Sequence, residues 1–71
     1  MSRAPGGRDG GAVPPGTVYL EFTPVGRQVK VSAIDAGTGT EVSIVGPLGA
    51  ARADLERLAL AKLKARLARE R

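Results

Sequence analysis

At Gly46-Pro47 the hydrophobic period of this chain changes. Residues 17–45 alternate apolar and polar with period two, and residues 48–71 repeat leucine and alanine at helical spacing. Period two places alternate side chains on opposite faces of a strand, and a period near 3.6 gathers them on one side of a helix. The switch therefore predicts an α+β fold, a three-stranded antiparallel β-meander followed by one C-terminal amphipathic α-helix (βββα).

Thr17–Thr23 places Val18, Leu20 and Phe22 on one face, and Gln28–Ile34 does the same with Val29, Val31 and Ala33. Between them, Val25-Gly26 suits the centre of a type II turn, since glycine accepts the positive φ at the third position. That turn sets Phe22 opposite Val29 and Leu20 opposite Val31, with Glu21 facing Lys30 as a cross-strand charge pair. Gly37-Thr38 fits the two-residue type II′ form and leads into Glu41–Val45, setting Ala33 opposite Val42 and Val31 opposite Ile44. The expected inner face is Val18, Leu20, Phe22, Val29, Val31, Ala33, Val42 and Ile44.

Pro47 suits a first helical turn, and from about Leu48 to Glu70 the chain is rich in strong helix formers. On a helical wheel Leu48, Ala51, Leu55, Leu58 and Ala59 form one stripe, and Leu60, Leu63 and Leu67 form a second. One small sheet needs only the first stripe, so the second is expected to meet another chain. On this reading Leu63→Asp keeps the secondary structure and dissociates an assembly.

Size points the same way. Of the first sixteen residues, eight are glycine or proline, which predicts a disordered tail over 1–16 and a single domain over 17–71. A core this small supplies only about 3–5 kcal/mol unless disulfides, a metal or oligomerisation reinforce it. The chain has no cysteine and no histidine, so a disulfide is impossible and a zinc site is disfavoured. Oligomerisation remains, and a homodimer or small homo-oligomer is expected. The outer sheet face adds Tyr19, Ile34 and Val45 to Leu60, Leu63 and Leu67 as candidate interface residues, and unpaired strand edges offer a second route. The N-terminus has no apolar signal-peptide region, and no apolar run is long enough to span a bilayer, so a cytoplasmic location is expected with no membrane contact.

The formal net charge of +4 resides on the helix region, where seven bases face three acids. Acids gather in its first half and bases in its second, the polarity that the helix dipole favours. The alternative reading is a small basic nucleic-acid-binding protein using Arg57, Lys64, Arg66 and Arg71 against phosphates, with a salt-dependent affinity. Tyr19 and Phe22 are the two rings, and Phe22 belongs to the inner face, so stacking on single strands is disfavoured. A solvated basic face that keeps an oligomer soluble accounts for the same residues.

Catalysis finds little to use. No serine has a base near it, and each carboxylate has a simpler role in a turn, a strand pair or a helix N-terminus. Gly37-Thr38-Gly39-Thr40 lacks the lysine of a phosphate-binding loop and precedes a strand, so it reads as a hairpin turn. The expectation is a non-enzymatic interaction module or accessory subunit, with no catalytic residue, metal or cofactor.

Three segments carry a resemblance: Phe22-Thr23-Pro24-Val25-Gly26, Val29-Lys30-Val31-Ser32-Ala33-Ile34-Asp35, and Thr38-Gly39-Thr40-Glu41-Val42-Ser43-Ile44-Val45-Gly46. With the leucine-alanine helix that follows, Val18 to about Leu67 resembles a family of short alphaproteobacterial proteins of unassigned function. The resemblance brings no catalytic motif and implies no activity.

Overall fold

The computed structural model describes Pro14 and residues 16–70. The tail expected over 1–16 therefore lies, apart from Pro14 and Gly16, outside the described residues, as does Arg71. Strands β1 (Val18–Val25), β2 (Gln28–Asp35) and β3 (Glu41–Pro47) form one antiparallel sheet in the order β1-β2-β3. Helix α1 (Arg52–Arg69) follows. This is the βββα arrangement that the change of period predicts, with β2 in the middle.

The first hairpin has a different register from the one expected. Phe22 pairs with Val31, Leu20 with Ala33 and Val18 with Asp35, a two-residue step from the predicted pairing. The turn is Gly26-Arg27, flanked by Val25 and Gln28. Gly26 has φ +62° at the first central position and Arg27 after it does not have positive φ, which is the type II′ pattern. The cause is twist: a primed turn matches the right-handed twist of the strands, whereas a type II turn would splay them. A two-residue step leaves the inner row on the same face. It does dissolve the expected charge pair, because Glu21 now faces Ser32 and Lys30 faces Thr23.

The second hairpin keeps the expected register, with Ala33 opposite Val42 and Val31 opposite Ile44. Its loop is longer than expected, running from Ala36 to Gly39. The Asp35 N–H donates to Thr40 O at 2.8 Å and the Gly39 N–H to Asp35 O at 2.8 Å. Gly39, at φ +78°, takes the left-handed position that the two-residue reading assigned to Gly37. Asp35 explains the preference. Its carboxylate Oδ2 accepts from the Thr38 N–H at 2.9 Å and from Thr38 Oγ1 at 2.8 Å, stabilising the wider loop from inside.

Helix α1 begins at Arg52, four residues later than expected. Pro47 does not open the helix but ends β3 opposite Gln28. The strand alternation points its backbone to the free edge, where the missing N–H costs no ladder bond. The Ala50 N–H then bonds Pro47 O at 3.0 Å to turn the chain. Ala51 is the N-cap without a side-chain bond, Asp54 lies in the first turn, and Arg66 and Arg69 lie in the last, complementing the helix dipole. At the far end Thr40 Oγ1 donates to Glu70 Oε1 at 3.1 Å, tying the helix terminus to the second loop.

The row that meets the sheet is Leu55, Ala59 and Leu63, all buried, with Leu67 half-buried beyond them. This corrects both wheel stripes. Leu58 is 59% exposed, Leu48 precedes the helix, and Leu63, assigned to a partner, is 2% exposed in the core of its own chain. A helix contacts a surface along its inclined i, i+4 ridge, whereas a wheel assumes a contact line parallel to the axis. Val29, Val31, Ala33 and Val42 complete the core under this ridge.

Candidate interaction surface

The helix packs against β2 and β3. The helix therefore sits off centre on the sheet, over β2 and β3 rather than over the middle of all three strands. The deficit falls on β1, where Val18, Leu20 and Phe22 point to the helix side and are only half-buried.

Two open hollows mark this flank. One, of about 320 Å³, is lined by Phe22, Pro24 and Val29 from the sheet and by Leu48, Ala50, Arg52 and Leu55. The other, of about 360 Å³, lies between Gly16, Val18 and Asp35 on one side and Leu60, Leu63, Lys64 and Leu67 on the other. Leu20 sits between Phe22 and Val18 on the same face. Leu60, 39% exposed, overhangs the second hollow. At the first, the Arg52 guanidinium lies 3.8 Å from the centroid of the Phe22 ring, so a cation covers part of the apolar face. Arg52 is itself held by Glu56 one turn on, with Nε 3.8 Å from Oε2.

The two outer strands differ at their free edges. On β3 the Lys62 ammonium donates to the Ser43 carbonyl at 2.7 Å, and Pro47 offers no N–H, so this edge is blocked at two positions. Charged side chains and proline are the usual devices that keep an edge strand from pairing. On β1 Pro24 likewise offers no N–H near the end of the strand, but no side chain among the described residues bonds the backbone groups before it, so the difference between the edges is the Lys62 bond.

The residues singled out from sequence do not form one patch. Tyr19 and Ile34 are cross-strand partners on the outer face, Tyr19 being 52% exposed. Val45 is 58% exposed on that face but faces Lys30, several residues away along the sheet. Leu60, Leu63 and Leu67 lie across the sheet from all three, with Leu63 buried and Leu67 half-buried. Of the leucine trio Leu60 alone is exposed. Val18, Leu20 and Phe22, expected on the inner face, do lie there and pack against the core, but the helix leaves them half-buried.

The candidate nucleic-acid contacts are also divided. Arg57 is bonded to Asp54 three residues before it, and Arg71 lies outside the described residues. Lys64 lines the second hollow, and Arg66 is half-buried. Among the described residues no helix is long and apolar enough to cross a membrane. No curated protein and no solved structure matches the chain significantly. A family model does match, over residues 15–70, so the strands, both loops and the helix together define membership: the chain belongs to the family described as Domain of unknown function (DUF6898).

Proposed function

We propose that this protein is a non-enzymatic, homo-oligomeric interaction module, an accessory subunit whose contact face is the β1 flank. The observation that carries the reading is the half-buried row Val18, Leu20 and Phe22 beside the exposed Leu60. The core shared by helix and sheet consists of seven small or medium side chains, and a unit of this size gains most from covering apolar surface that it cannot cover alone. This reading keeps the assembly expected from the sequence and moves its surface from Leu63 to the opposite rim of the same groove.

The test is light scattering on the full-length protein after size exclusion, at low and high salt. Refractive index should serve as the mass detector, because one tyrosine and no tryptophan give little absorbance. A discrete assembly that persists at high salt is expected, since apolar burial is not screened. A monomer at high micromolar concentration overturns the reading. The second reading, nucleic-acid binding, draws on Lys64, Arg66 and Arg69. These bases follow the two ion pairs of the first helical turns, Arg52–Glu56 and Arg57–Asp54. It requires absorbance at 260 nm that is carried with the protein and removed by salt.

A further inference from the structure

The geometry points to a second copy of this chain joined edge to edge through β1, antiparallel and centred on Leu20, to give one continuous six-stranded sheet. This rests on the reading of the β1 flank as a contact between copies and supplies the geometry of that contact.

Backbone alternation identifies the groups available. Val25 and Gln28 flank a two-residue turn, and in such a hairpin the flanking pair exchanges hydrogen bonds and every second pair after it does the same. Tyr19, Glu21 and Thr23 therefore spend their N–H and C=O groups on β2. The Ala36 N–H to Thr17 O bond at 3.0 Å continues the same alternation past the strand. Val18, Leu20 and Phe22 present theirs outward, and Pro24 ends the series because it has no N–H. These three residues also carry the half-buried inner row. A partner strand would thus satisfy backbone and side chains at once.

A second copy suits this edge. A two-fold axis through Leu20 pairs Leu20 with the second copy's Leu20 and Val18 with the second copy's Phe22, using all three outward residues of each strand. The two apolar rows meet beneath a pair of helices, with Leu60 of each above them. On the outer face Glu21 faces the second copy's Tyr19. Shifting the pairing by two residues one way sets Glu21 directly against Glu21 and Val18 against the donorless Pro24. Shifting it the other way leaves Phe22 opposite Gly16, beyond the strand. Like charges directly opposite are destabilising, so the centred register is the favoured one. The β3 edge, covered at Ser43 by Lys62, offers no comparable run.

The chain has no cysteine, so a single introduced cysteine reports one distance. Opposed residues in a hydrogen-bonded pair have Cα atoms about 5.5 Å apart, within the range of about 4.4–6.8 Å that a disulfide spans. Leu20→Cys should therefore oxidise to a covalent dimer in the full-length protein. Val18→Cys and Phe22→Cys should not, their own copies lying roughly 14 Å apart at about 3.3 Å per residue. In the unaltered protein, the Val18, Leu20 and Phe22 amides should exchange with deuterium at least about tenfold more slowly above the dissociation constant than below it.

The outcomes separate. A monomer by light scattering removes the interaction reading and this inference together. An assembly whose fastest cross-linking is at Tyr19→Cys, Glu21→Cys or Ser43→Cys, or at none of these positions, keeps the interaction reading and overturns the strand pairing. Protection of the three amides that does not change with concentration also overturns it, since the edge would then be covered within one chain or by a foreign segment. Concentration-dependent protection with cross-linking at Leu20→Cys establishes the pairing.

Discussion

A Cβ at Gly46 would stand 2.6 Å from Leu55 Cδ2, closer than packed carbons approach. The glycine has no unusual φ, so its role is proximity: it lets the buried Leu55 settle onto β3. Gly46→Val should lower the unfolding free energy by about 1–3 kcal/mol, the usual cost of forcing methyl groups into a packed interior. Gly37 makes the contrast, since a Cβ there would lie at an ordinary 3.6 Å from Asp35 Oδ2 and its φ is not positive. Gly37→Ala should be neutral or stabilising by up to about 1 kcal/mol through the unfolded chain. Urea unfolding followed by circular dichroism at one fixed protein concentration distinguishes the two. Equal losses at both positions would show that the close approach at Gly46 is not what the site requires.

At the scale of elements, the helix decides what is covered and what is left over. Leu63 is 2% exposed and Leu58 is 59% exposed, so the two leucines should answer differently to the same charge. Leu63→Asp should abolish cooperative folding, because an unpaired carboxylate would be forced into the core. Leu58→Asp should shift stability by less than about 0.5 kcal/mol, the range of ordinary surface changes. Thermal unfolding of the two variants checks this. A folded Leu63→Asp monomer would vindicate the stripe read from the wheel.

That stripe shows where legibility ended. The strands and helix could be read because each has a distinct period, and the inner row of the sheet survived even a wrong register because strand faces repeat every two residues. The turn at Gly26-Arg27 was missed because type II and type II′ both want a glycine and differ only in which neighbour joins it. The Asp35 loop was missed because Gly37 and Gly39 suit a left-handed position equally, and the choice depends on bonds that Asp35 makes to Thr38. The helix contact was missed because a ridge is inclined to the axis, and no composition states the crossing angle. The incomplete burial of Val18, Leu20 and Phe22 depends on all of these at once, which is why the candidate surface was the least readable part.

For the whole molecule, the two sheet margins are unequal. Lys62→Met keeps most of the stem of the side chain but removes the donor to Ser43 O. The variant should fold as the parent does and form larger, concentration-dependent species, read as a rise in mass by light scattering and in light scattered over time. A variant of unchanged mass would show that Lys62 is not what closes β3. The inequality also sets a valence. A strand margin that pairs with its own copy uses itself up, so a protein with one such margin has a single bond to give, and its assembly is complete at two. With both margins open, the same chain would have two bonds and a growth axis. On the proposed pairing, the lysine on the helix would set the stoichiometry from the side of the molecule that takes no part in the contact.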